Sequence, residues 1–92
     1  MANYIISYDL NGPRPSHAEM DKHMESAGWT RGRILETVWY VGTAADLDQV
    51  SSYVGQILSN NDSLVVVSCT GARFQNLLIP SQNVISAWNQ NG

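Results

Sequence analysis

The stretch YIISYDLNGPRP, residues 4–15, sets a single carboxylate, Asp9, where an apolar run breaks into Asn-Gly-Pro-Arg-Pro. A carboxylate at a strand end has two uses. It can accept backbone amides from Asn11 or Gly12 in an Asx-turn, as acids do before Gly and Pro. It can also offer oxygen to a hard cation such as magnesium, which takes one or two carboxylates alongside waters. The residues alone leave both open. Arg14 follows in the same loop, and Arg31 and Arg33 share one side of an extended segment, so a small positive rim about an acidic centre is available to a phosphate. The structural alternative is that these guanidiniums pair with Glu36 or nearby carboxylates. Asn11 and Arg14 together offer a third possibility, a seam pocket for a small nucleotide.

Other chemistries find no support. His17 and His23 point to different faces of one helix and cannot chelate a metal together as residues four apart could. Cys69 is the one cysteine, so neither an intrachain disulfide nor a Cys-rich zinc site can form, and a reducing, cytoplasmic home is expected. No Ser-His-Asp set, glycine-rich nucleotide loop or zinc spacing is present. Trp29, Trp39, Tyr40 and Trp88 could stack on bases, but such residues more often plug cores and interfaces.

Whatever site exists must sit on one small body. The 92 residues allow a single domain, read as a core over 3–70 and an extension over 71–92, and the 43% apolar and 14% charged content describe a chain that folds. A net charge of −3, with Arg14, Lys22, Arg31, Arg33 and Arg73 the only Lys or Arg residues, argues against a nucleic-acid coat, which needs clustered cations. No segment reads as a signal peptide or a bilayer span, so no membrane partner is expected.

The elements follow from periodicity. Tyr4, Ile6, Tyr8 and Leu10 alternate with Asn3, Ile5, Ser7 and Asp9, predicting a strand over 3–10 that stops at Gly12-Pro13-Arg14-Pro15. Ser16 and Glu19 form a capping box opening a helix to Gly28 with Met20, Met24 and Ala27 on its apolar stripe. Residues 29–43 are extended: two strands or one bent strand, with Gly32 as the expected bend. Thr43 and Asp46 repeat a capping signal before a helix bearing Leu47, Val50, Val54, Ile57 and Leu58 and ending at 59–61. The unbroken run at 64–69 predicts an interior strand covered on both faces. The tail adds an amphipathic piece over 74–79, a break at Pro80, and a short helix or turn from Ser81 with Val84, Ile85 and Trp88 apolar. If 29–43 is a hairpin, the order is that of an α+β, ferredoxin-like βαββαβ sandwich with an antiparallel sheet and two helices on one face. Its other face must then meet water, the tail or a second copy, and a two-fold homodimer is the simplest expectation.

The segments "YIISYDLNGP", "ILETVWYVGT" and "LSNNDSLVVV" resemble a family of small bacterial and phage proteins labelled SinR-like. These are similar in turn to the small dimeric nuclease-fold protein of CRISPR spacer acquisition and, more distantly, to virulence-associated protein D. The likeness covers most of residues 3–69, is sharpest at Tyr8-Asp9 and Thr37-Val38-Trp39, and fades over the tail. It implies a ferredoxin-like homodimer in which the first-strand acid, Asp9, faces its twin. It also implies magnesium-dependent phosphodiester cleavage of RNA or DNA through that acid, with Thr37 at the hydroxyl-bearing position. The first helix departs from the nucleic-acid-cutting relatives, since Lys22 stands there against Glu19, Asp21 and Glu25. The leading expectation is therefore a homodimeric interaction module with a possible protein partner. The alternatives are a magnesium-dependent endonuclease using paired Asp9 and a nucleotide-binding module.

Overall fold

In a computed structural model that describes residues 2–91, the alternation of the first segment builds the centre of the sheet. β1 (Ala2–Asp9) lies between β3 (Val38–Thr43) and β4 (Ser63–Cys69), and β2 (Thr30–Leu35) pairs with β3, giving the order β2-β3-β1-β4 with every neighbour antiparallel. The helices are α1 (His17–Ser26), α2 (Leu47–Gly55) and α3 (Ser81–Asn91), so the chain is α+β with a four-stranded antiparallel sheet. No helix among the described residues is long and apolar enough to cross a membrane.

Tyr4, Ile6 and Tyr8 point to one face, where they are buried with Trp39 and Val41 against Met20 and Met24 of α1 and Val50 and Val54 of α2. Full burial of a Val or Met side chain contributes about 1.5–3 kcal/mol, which makes this layer the main apolar core. Both helices begin as their local residues demand. Ser16 Oγ accepts from Glu19 N–H at 3.2 Å while Glu19 Oε1 accepts from Ser16 N–H at 2.9 Å. Asp46 and Gln49 repeat this reciprocal cap at 2.8 and 2.9 Å. The second cap is thus Asp46 with Gln49, not Thr43 with Asp46, because Thr43 is still in β3 opposite Ala2 and its hydroxyl accepts from Ala45 N–H. Helix α2 also ends earlier than expected, at Gly55, and turns lead to residue 61.

Residues 29–43 form a hairpin, but its turn is at Glu36-Thr37, with a register irregularity between Arg33 and Leu35. Gly32 does not bend the chain; it stays in β2 opposite Tyr40, and a Cβ there would sit 2.5 Å from Ile79 Cδ1. Its bareness lets the tail lie against the strand.

The second sheet face is covered over one half by the chain itself. Val84 of α3 is buried with Ile34 and Tyr40, and Phe74, Leu77, Ile79 and Trp88 pack around them. The Leu78 N–H donates to Ile34 O at 2.9 Å, drawing the tail onto β2. Buried Asn3 locks the helix in place: its Nδ2 donates to the Trp88 carbonyl at 3.1 Å and its Oδ1 accepts from Tyr40 OH at 2.6 Å. Trp88 also stacks on Tyr40, centroids 5.7 Å apart, and takes the edge of Phe74. The other half lies open. β4 is an edge strand rather than the expected interior one, and Val65 and Val67 are 59% and 46% exposed. The continuous apolar run misleads because only its even positions, Leu64 and Val66, pack against the helix-covered core.

Candidate functional site

The end of β1 gathers part of the expected set. Asp9 is opposite Ser63 and, by alternation, on the same face as Ile5 and Ser7, away from α1 and α2. It is exposed, and among the described residues no side-chain hydrogen bond or ion pair reaches its carboxylate. Thr37 lies in the β2–β3 turn at this end of the sheet, where its carbonyl accepts from Tyr8 N–H at 3.1 Å.

The backbone amides that an Asx-turn would give Asp9 go to a distant acid instead. Asp62 Oδ1 accepts from Asn11 N–H at 2.7 Å and Gly12 N–H at 3.1 Å, and its Oδ2 accepts from Ser59 N–H at 2.8 Å. These amides, led by that of Ser59, hold the Asp62 carboxyl below the usual carboxylate range. Asn11 adds a bond from its Nδ2 to Asn61 O at 3.1 Å. At Gly12 a Cβ would meet Ser59 Oγ at 2.5 Å, so the two loops touch at a residue without one. Asp62 is thus the staple between the β1 loop and the turn before β4. Sequence reading passed over it because the amides it holds at Asn11 and Gly12 come from far along the chain; its only local sign is Ser59-Asn60-Asn61-Asp62 as a turn.

The arginines do not surround Asp9. Arg31 is opposite Val41 and Arg33 opposite Trp39, both of which belong to the helix-covered face, so the two guanidiniums start from the side of the sheet opposite Asp9. Arg31 Nη1 donates to Trp29 O at 3.3 Å. Arg14 pairs with Glu19, and this guanidinium together with the Ser16 amide pulls the Glu19 carboxyl down to about 2. The same arginine lines an open cleft of about 520 Å³ with Pro15, Glu19, Lys22, His23, Ser26 and Ile57. With Asn11 bonded to Asn61 and Arg14 to Glu19, the pair expected to take a nucleotide is already engaged in loop and helix contacts.

Two contacts, one buried and one half-buried, were not legible. Trp39 Nε1 donates to Tyr8 OH at 3.0 Å; burial raises the phenol's pKa, while that hydrogen bond and the Arg33 charge oppose the rise. His23, which the spacing turns to a different face from His17, clamps α1 to α2. Its ring stacks on Tyr53 with centroids 4.1 Å apart, its Nε2 meets Tyr53 O at 2.5 Å, and Tyr53 OH donates to His23 O at 2.6 Å.

Among the described residues no three His, Cys, Asp or Glu side chains converge as a metal site. A two-carboxylate magnesium site built on Asp9 alone would take that residue from two copies. The chain matches no family model, and a comparison with curated proteins finds no match either.

Proposed function

We propose that the chain is a small homodimeric interaction module with a ferredoxin-like arrangement, akin to the fold of the CRISPR spacer-acquisition nuclease. The element order β1-α1-β2-β3-α2-β4 and the burial of α1 and α2 against one sheet face support the arrangement. The observation that carries the dimer is the pair Val65 and Val67, exposed on an edge strand beside a half-face that the chain otherwise covers with its own tail. Apolar surface left open next to a tightly covered region marks an interaction site. Sedimentation equilibrium tests this: the expected mass at micromolar concentration is twice the 10.1 kDa of one chain, and a monomer at that concentration removes the reading.

A second reading, a magnesium-dependent endonuclease acting on RNA or DNA, is favoured by the Asp9 carboxylate, which is exposed and unpaired among the described residues on the same open half-face. Bound magnesium would stabilise charge on the phosphodiester. The protein's contribution would be Asp9, supplied twice. Under this reading purified protein cuts nucleic acid with Mg²⁺ or Mn²⁺, and Asp9→Asn abolishes cutting with an unchanged thermal midpoint. Cutting that survives Asp9→Asn rejects it.

A further inference from the structure

We infer that two copies join through β4 itself, strand to strand and antiparallel about an axis at Val66, so that two four-stranded sheets become one of eight strands. This rests on the homodimeric reading above and specifies its interface.

The residues of β4 point to a partner of the same kind. Native proteins blunt a free edge with Lys, Pro, a bulge or a covering segment. β4 pairs only with β1, its register runs without a shift from Asn3↔Cys69 to Asp9↔Ser63, and Ser-Leu-Val-Val-Val-Ser-Cys holds neither a charge nor a proline. A second copy therefore meets no like-charge repulsion along the strand. The order of residues is close to symmetric about Val66. With the axis there, Ser63 lies opposite the partner copy's residue 69, Leu64 opposite 68, and Val65 opposite 67. Directly opposed residues share a face, so both exposed valines of each copy come together on the open face. Moving the axis to Val65 or Val67 leaves strand ends unpaired and opposes only one valine of each copy to its twin, the other then facing Ser63 or Cys69.

This geometry has a consequence for Asp9. Asp9 is in register with Ser63 at one end of β4, and the axis sends the other copy's Asp9 to the opposite end. At ~3.4 Å per residue and ~4.8 Å between strands, the two Asp9 positions stand roughly 25 Å apart, and the two Cys69 positions roughly 20 Å apart. A face-to-face dimer with converging acids would instead bring the Asp9 positions within about 10 Å, the usual spacing of packed sheets.

The test is pulsed dipolar spectroscopy on spin labels, one at native Cys69 and one at Asp9→Cys in a Cys69→Ser background. The expected separations are about 20 and 25 Å. A short Asp9 separation with a dimeric mass overturns strand-edge pairing and leaves the homodimer standing; a monomeric mass overturns both. Val65→Lys with Val67→Lys places four ammonium groups across the proposed seam and should weaken dimerisation by at least about tenfold while the circular dichroism spectrum of the monomer is retained. A dimer unaffected by that double substitution also overturns the proposal. If the double variant does not fold, the label separations decide.

Discussion

At the β2 edge of the sheet, Arg31 and Arg33 bring charge, the register breaks between Arg33 and Leu35, and the tail donates Leu78 N–H to Ile34 O while Ile79 rests on Gly32. At the β4 edge the register is unbroken, no charged residue occurs, and Val65 and Val67 face outward. Charge, bulge and cover are the devices that keep an edge from pairing with other chains; β2 carries all of them and β4 none. The same contrast holds across the second sheet face, covered by α3 near β2 and β3 and open near β4. The protected side is finished within one chain, whereas the bare side is what a partner would use.

The sharpest way to break this contrast is to place the same charge on each side. Val84 is 2% exposed between Ile34 and Tyr40, so Val84→Asp buries an unpaired carboxylate and should cost about 3–5 kcal/mol in urea denaturation. Val65→Asp, at a side chain already 59% exposed, should change monomer stability by less than about 0.5 kcal/mol. Equal losses would mean that the two halves are not covered differently. Next in size is Asn3→Ala. It removes the side-chain amide that donates to the Trp88 carbonyl and accepts from the Tyr40 hydroxyl, for an expected loss of about 2 kcal/mol. Trp88 fluorescence, read in a Trp29→Phe, Trp39→Phe background with and without Asn3→Ala, should shift toward the exposed value as α3 loosens.

Local features of this contrast were legible in the residues, and distant ones were not. The Ser16–Glu19 box closes within one turn, and the alternation of Tyr4, Ile6 and Tyr8 needs only neighbours, so both were readable. The spacing of Val84 and Trp88 predicts an apolar helix stripe but not the surface it covers, since that depends on Asn3 and Tyr40, far away in the chain. Arg31 and Arg33 were correctly placed on one side of a strand. Which side, relative to Asp9, follows from the pairing of Arg33 with Trp39 and of Ile5 with Tyr40, and those registers cannot be read from composition. The role of Asp9 in its loop went to Asp62 for the same reason. Asp9 is placed for an Asx-turn to these amides, and only the approach of the turn before β4 hands them to Asp62 instead.

The smallest expected effect separates the halves by pH. Among the described residues Glu19 and Asp62 are the carboxyls held below their usual range; both sit in the loops and helix start beyond the C-terminal end of β1, with their hydrogen bonds to residues outside the tail. A carboxyl depressed in the folded state adds stability above its unfolded value, and that contribution fades as pH falls through the folded value. For Glu19 the window runs from about 4.5 down to about 2. Hydrogen-exchange protection of the Asn11 and Gly12 amides, which rest on Asp62, should hold through the ordinary carboxylate range and fall only as the pH drops below it, because the folded Asp62 carboxyl is held down. The Leu78 amide, bound to a neutral carbonyl, should keep its protection over the same range. Asp62→Asn should remove most of the pH dependence at Asn11 and Gly12 and none at Leu78. Parallel loss at all three amides would show global acid unfolding instead, and would tie the tail to the β1 loop more closely than the hydrogen bonds suggest.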